Sequence, residues 1–381
     1  MFYLFSPVDN FHNMSTLTDD TCNLAAIESR IAYLISQQFC TSAENNLSST
    51  CKTTLQQVIK QAIVSSEGGK RLRALLTISA YNAASSEKAT NKLQDKALFD
   101  IACALEVFQT AALIHDDIID ESALRRGKPS AYCALSSVCN NKHIGSGLGL
   151  MLGDLLATES FDITRNSAKY FTYSEELLQA FASMQRNVGI GQVLDLSIEM
   201  MQLDNPSELA QSSLNVFRWK TASYTTIAPL TLGFLAASMN PNDAYNLANS
   251  IGDPLGIAFQ LADDLLDIVS DSKLTGKPIG GDIREGKRAV LLADALQYGS
   301  DQEKEILTKA YTSEERSESD VEKIIQIYHT SGAIERSKQR IMNLWQKSNN
   351  SIDESPLSGS GKAILHNISE RFIPEAWRNV Q

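Results

Sequence analysis

Two stretches of this chain repeat one arrangement of acids: HDDIID at 115–120 and ADDLLD at 262–267. Carboxylates four residues apart share a helix face. Asp116 and Asp120 therefore point the same way with Asp117 beside them, and Asp263, Asp264 and Asp267 repeat the geometry. Three carboxylates that close repel one another unless a cation sits between them. Hard oxygen ligands with room for water suit Mg²⁺ bridging to phosphates. Either motif alone could equally be a solvated helix end. Two copies, each closing an apolar helix, are much harder to reach by chance. A calcium loop fits less well, because the alternating acids, Gly and terminal Glu of an EF-hand are absent.

Basic groups accompany the acids. Gly68-Gly69-Lys70-Arg71-Leu72-Arg73 opens a helix. Glycines let a backbone approach an anion, and a helix N-terminus favours negative charge. Lys70 and Arg73, three apart, can converge on one diphosphate. Arg125 and Arg126 follow the first acid motif and suit bidentate phosphate contact, or simple pairing with the acids. Lys220-Thr221 stands at a break in a helical run. A glycine-rich loop runs from Lys277 to Lys287. Each of these lysines, taken singly, reads as solvent-exposed.

The elements that must position these groups read as helices almost throughout. Ile27, Ile31, Leu34 and Ile35 recur at helical spacing, as do Leu55, Val58, Ile59, Ala62 and Ile63. Residues 98–120 form a helix apolar nearly all round, which belongs at the centre of a fold. Further helical stretches run over 145–165, 174–201, 207–238, 243–270, 287–297, 302–310, 318–347 and 360–371. No alternating β-branched run marks a strand. The 381 residues suit one large domain or two small ones, and Gly 20 with Pro 9 is too little for a turn-rich all-β fold. A net charge of −11 argues against a general nucleic-acid binder and against broad adhesion to anionic membrane.

The six cysteines include no C-x-x-C pair. With no signal-peptide pattern, reduced thiols in a cytoplasmic protein are the expectation. No uninterrupted apolar run approaches the ~18 residues of a membrane span. Residues 1–13 carry no helical pattern, and Met14 reads as a second start. We expect 1–20 to be a flexible extension and 21–381 to be a single helical domain.

In this order, GGKRLR, HDDIID-x4-RRG, the Lys-Thr pair, FQLADDLLD and GKPIGGDIREGK resemble the motifs of the trans-isoprenyl diphosphate synthases, or polyprenyl synthetases. The resemblance covers roughly 24–375 and extends to geranylgeranyl or longer-chain members. It implies an all-α isoprenoid-synthase bundle around a deep central cavity, a homodimer, and three Mg²⁺ ions with diphosphate bound. The implied reaction is head-to-tail 1′-4 condensation of isopentenyl diphosphate with an allylic diphosphate. Carried over motif by motif, Asp116, Asp120 and Asp263 match the Mg²⁺ ligands, and Asp117, Asp264 and Asp267 match supporting acids. Lys70, Arg73, Gln109 and Arg126 match the isopentenyl diphosphate site. Arg125, Lys220, Thr221, Gln260, Lys277 and Lys287 match contacts to the allylic diphosphate. Two family prolines are missing: Ala74 follows GGKRLR, and KRAVLL stands where K-x-x-P is common.

Two rivals share the implied fold. A class I terpene cyclase would replace the second acid motif by a Ser/Thr-containing pattern with a final Glu, where Asp267 and Asp271 stand here. A non-catalytic subunit of a heteromeric synthase would tend to lose an acid motif, and both are intact. A head-to-head synthase is disfavoured by the missing membrane anchor. In short-chain members that resemble this one, bulky aromatics four and five residues before the first acid motif stop the chain. Ala111 and Ala112 stand there, so a C20 or longer product is expected, with Phe108 as the candidate floor.

Overall fold

The computed structural model describes residues 20–38, 47–85, 91–269, 279–313 and 315–378. Residues 1–19, which hold most of the expected extension and the alternative start at Met14, lie outside the described residues, as does Lys277. The fold is all-α: among the described residues the only sheet is one two-stranded pairing. The chain divides into two compact units, the first Met1–Ile78, Ser85–Arg125 and Pro129–Leu178, the second Ser79–Ala84, Arg126–Lys128 and Gln179–Gln381.

In the first unit, helix α1 (Asp20–Gln38) buries the stripe Ile27, Ile31, Leu34 and Ile35. Each such side chain contributes roughly 1.5–3 kcal/mol on leaving water. Arg30 on the same helix donates two hydrogen bonds to Asp100, at 2.7 and 3.0 Å. Helix α2 spans Ser49–Ser66, and α3 begins at Leu72 and ends at Ala84. Helix α4 (Lys92–Ile119) starts where the Asn91 side chain accepts from the Leu93 N–H at 3.1 Å. Its residues Ala97–Phe108 are buried without interruption. It has the length and apolarity to cross a membrane, yet 83% of its most apolar window lies inside the fold; it is the core helix expected from its sequence.

Strands β1 (Leu124–Arg125) and β2 (Lys128–Pro129) are too short to announce themselves by alternation. Their two-residue turn has Arg126 at φ 52° and Gly127 at φ 74°. Positive φ at both central positions matches the twist of the flanking strands. Helix α5 (Ala131–Cys139) has no counterpart in the expected elements. It packs on α6 (Lys142–Ala168) through glycines. A Cβ on Gly145 would lie 2.1 Å from Ser136 Oγ, and one on Gly149 would lie 2.7 Å from Tyr132 Cβ.

The second unit holds most of α7 (Ser174–Ile198), then α8 (Pro206–Val216) and α9 (Ala228–Ala236). Between α8 and α9, Phe217–Ile227 is a π-helix. The expected break at Lys220-Thr221 is therefore a widening of the helix, with no interruption of the chain's helical course. Glycines make room for it. A Cβ on Gly191 of α7 would sit 2.3 Å from the Lys220 nitrogen, and one on Gly256 would sit 2.5 Å from Ala222 Cα. Gly256 belongs to α10 (Pro241–Val269), which carries the second acid motif.

Short helix α11 (Gly281–Glu285) is followed by α12 (Val290–Tyr298) and α13 (Asp301–Thr312). The single helix expected over 318–347 is two, α14 (Glu318–Thr330) and α15 (Ala333–Asp353). Gly332, at φ 75°, turns the chain between them. Arg340 of α15 grips the buried Asp294 of α12 with two contacts, one of them 2.8 Å long. Helix α16 (Gly359–Ser369) is followed by a single 3-10 turn, Glu375–Trp377.

Candidate active site

In the first unit, α4 ends at its acid motif. The Asp120 N–H donates to the Asp116 carbonyl at 2.8 Å, so Asp120 caps the helix. Asp117 is only 2% exposed and accepts from Arg125 Nε at 2.8 Å. The Arg125 guanidinium also lies 3.8 Å from Asp116 Oδ2. The three acids thus differ. Asp117 turns inward to an arginine, whereas Asp116 and Asp120 lie on the partly exposed side of α4. Gln109, Ala112 and Leu113 continue that partly exposed stripe below Asp116, while Ala111 and Phe108 are buried. His115 is a packing residue: a Cβ on Gly153 would lie 2.2 Å from its Nε2, which is 3.3 Å from Asp154 Oδ1.

The basic loop of this unit has three residues at positive φ, Gly68 at 73°, Gly69 at 100° and Arg71 at 51°. Lys70 is exposed, whereas Arg73 on the first turn of α3 is 6% exposed. Arg71 belongs to the frame: it donates to the Ser66 carbonyl and lies 3.5 Å from Glu106 Oε2. Glu106, 2% exposed on α4, accepts the Ala74 N–H at 3.1 Å. One amide of the α3 N-terminus is thereby used internally.

In the second unit, Lys220 Nζ donates to Asp195 Oδ2 of α7 at 2.6 Å. Thr221 Oγ1 donates to Gln260 Oε1 at 2.8 Å, and Gln260 Nε2 donates to Asp264 Oδ1 at 2.8 Å. This chain ties the π-helix to the acid motif and fixes the Gln260 amide orientation. Asp264 is buried, and burial raises its carboxyl pKa well above the usual range; the charge of Asp282 adds to the rise, and the Gln260 amide opposes it. Asp263 is exposed. Asp267 organises the glycine-rich loop, its Oδ2 accepting the Asp282 N–H at 3.1 Å. Lys287 Nζ lies 2.9 Å from Glu285 and 3.4 Å from Asp282. Arg126 is exposed at the turn of the β-hairpin.

Sequence reasoning missed Asp195, Asp282 and Glu106. Asp282 lies inside the glycine-rich motif and so stood beside a visible signal, whereas Asp195 lies on α7 in a stretch that no motif marks. Glu106 is one acid in an apolar helix, and only its partners reveal its use. Among the described residues, no three His, Cys, Asp or Glu side chains converge as a closed metal cage. Paired carboxylates whose remaining ligands come from water and phosphate are the open arrangement that Mg²⁺ accepts. The donor chemistry of Asp116, Asp120 and Asp263 fits that ion.

The helical fold thus carries two acid motifs, one on α4 and one on α10, each with basic side chains in its own unit. A family model described as polyprenyl synthetase matches residues 52–328, and the chain belongs to that family of prenyltransferases. It has trans-isoprenyl diphosphate synthase activity. The geranylgeranyl diphosphate synthase of Sulfolobus acidocaldarius is 33% identical over 258 residues, covering 67% of this chain and 71% of that one. The octaprenyl diphosphate synthase of Escherichia coli is 29% identical, covering 72% of this chain and 76% of its own. A solved geranylgeranyl pyrophosphate synthase from Corynebacterium glutamicum, complexed with isoprenyl diphosphate and magnesium, is similar with a TM-score of 0.79 at 30% identity. It covers 95% of this chain and 100% of that one.

Proposed function

We propose that the chain condenses isopentenyl diphosphate with an allylic diphosphate, in a Mg²⁺-dependent reaction, to an all-trans product of C20 or longer. The observation that carries the product length is the stripe on α4, where small Ala112 lies below Asp116 on the same partly exposed side. Asp116, Asp120 and Asp263 are the Mg²⁺ ligands in this reading, with three ions when diphosphate is bound. Asp117, Asp264 and Asp267 hold the frame through Arg125, Gln260 and the glycine-rich loop. Bound magnesium supplies charge neutralisation for the leaving diphosphate.

Lys70, Arg73, Gln109 and Arg126 bind isopentenyl diphosphate; Arg125, Lys220, Thr221, Gln260, Lys277 and Lys287 bind the allylic substrate. The allylic C–O bond breaks with its electron pair going to diphosphate. The isopentenyl double bond then attacks the allylic carbon, and a proton leaves the resulting cation for the released diphosphate. Lys220 stabilises the charge growing on the leaving group. Gln260, fixed from both ends, presents a polar group of set orientation to the cation. An apolar stripe with Ala112 and Leu113 keeps water from it.

The deciding assay offers labelled isopentenyl diphosphate with each allylic primer and sizes the products. A main product of C15 overturns the length assignment, and full turnover in EDTA overturns the metal. Cyclised hydrocarbon or no turnover at all would favour the cyclase or the non-catalytic subunit. Lys70→Ala and Arg73→Ala should raise KM for isopentenyl diphosphate, and Lys220→Ala should raise KM for the allylic partner.

We also infer a homodimer and one catalytic domain. Val138 of α5 and Ile144, Met151 and Leu155 of α6 are large exposed apolar side chains. Positions 144, 151 and 155 share one helical face, which a second copy would cover. Light scattering reads the mass directly. The family match runs through residues of both units, which supports one domain. A cytoplasmic location agrees with the free thiols of Cys51, Cys103, Cys133 and Cys139.

A further inference from the structure

The loop that presents Lys70 is costly to hold. Gly68, Gly69 and Arg71 all have positive φ, and Arg71 has a Cβ that resists this conformation. Such a backbone persists only where its surroundings over-determine it. Two carboxylates do so from different helices. Glu106 of α4 holds Arg71 and the Ala74 N–H. The other is Glu28 of α1. Its Oε1 accepts the Gly68 N–H at 2.9 Å and lies 3.3 Å from the Arg71 guanidinium. One oxygen atom thus ties both ends of the four-residue turn that carries Lys70.

Glu28 is itself fixed. Its neighbour Ile27 is fully buried, Arg30 is locked to Asp100, and Ile31 follows in the core. The helix cannot turn Glu28 away without withdrawing these groups from the interior. The Glu28 side chain nevertheless remains 43% exposed, so its contribution is to the loop and little to the core. Helix α1 precedes the family-matched span, which begins at residue 52.

We propose that Glu28 is a positioning residue for the diphosphate site of Lys70, so that α1 takes part in substrate binding without touching substrate. This rests on the assignment of Lys70 to isopentenyl diphosphate. Without the Glu28 carboxylate one hydrogen bond to Gly68 and one contact of Arg71 are lost, and the loop samples conformations that carry Lys70 away from its bound position. Binding then includes the cost of re-forming the turn.

The test compares Glu28→Ala, Glu28→Gln and Lys70→Ala by steady-state kinetics for each substrate, with melting temperatures alongside. Glu28→Ala should raise KM for isopentenyl diphosphate by about tenfold, the effect of one charge-assisted contact. Its kcat and its KM for the allylic diphosphate should stay within about twofold, which is small on the same scale. Glu28→Gln keeps an acceptor oxygen for Gly68 and should restore most of the lost affinity. If Lys70→Ala raises that KM and Glu28→Ala leaves it unchanged, the positioning role is wrong. Equal losses on both substrates with a parallel fall in melting temperature would make Glu28 a plain stability residue and also overturn it. If neither Lys70→Ala nor Glu28→Ala moves that KM, the substrate assignment fails and takes this inference with it.

Discussion

At the scale of single residues, each acid motif combines partly or fully exposed carboxylates with one that is buried. Asp116→Asn and Asp263→Asn should each lower kcat by ~10²-fold or more, the usual cost of a lost charge-stabilising group. Near-normal turnover in both would remove their assigned roles. A different carboxyl sets a pH dependence of stability. Glu159 on α6 is 8% exposed, and Oε1 has no hydrogen-bond partner among the described residues. Burial, then the charge of Asp162, pushes its pKa up to about 7 from 4.5. Below the unfolded value both states are neutral and there is no penalty. As pH rises toward 7 the unfolded chain ionises first, so stability falls, and the deficit is complete above 7. Glu159→Gln should match the wild type in thermal unfolding at pH 4 and exceed it at pH 8, by on the order of 2–3 kcal/mol. Equal gains at both pH values would rule out the ionisation argument. The acid motifs were legible as spacing in the sequence. That Arg71 serves the frame while Lys70 does not could not be read, because its partners Glu28 and Glu106 lie tens of residues away.

At the scale of elements, the π-helix is the feature that periodicity could not deliver. Apolar spacing registers that Phe217–Ile227 is helical but not that the coil is wider there. The glycines opposite it were the available sign, and their meaning depends on which helix faces them. Gly256→Ala would drive a methyl into Ala222 and Thr226, each 2.5 Å from the ideal Cβ. The helix must shift, carrying Thr221 from Gln260. We expect kcat and the allylic KM to worsen while far-UV circular dichroism stays the same; unchanged kinetics would show that the neighbours yield harmlessly. On α4, Ala112→Phe should shorten the product toward C15, since a phenyl group would fill the stripe one turn below Asp116. An unchanged product distribution would show that the tail runs elsewhere. The missed break between α14 and α15 has a simpler cause. Gly332 follows Ser331 within an otherwise periodic run, and a single glycine is tolerated in helices often enough to be passed over.

For the whole molecule, the all-α class followed directly from the helical periodicity and from the scarcity of glycine and proline. Its division into two compact units did not, because α3 and α7 each run unbroken from one unit into the other. The recognisable span, 52–328, is also shorter than the structure that supports it. Asp100 and Asp294 lie inside that span, and both are buried. Their arginine partners come from outside it, Arg30 before and Arg340 after. Excising the span would strand Asp294 at ~3–5 kcal/mol and leave Asp100 only the half-exposed Lys96, a loss that is a large part of the margin of a typical domain. The isolated fragment 52–328 should be recovered as aggregate, and co-expression with the missing flanks should restore soluble protein; a soluble, cooperatively melting fragment would refute this. Grafting the motif-bearing span of this chain into a relative's flanks should therefore succeed only where the host supplies an arginine at both junctions, which makes the two pairs a compatibility rule for chimeras.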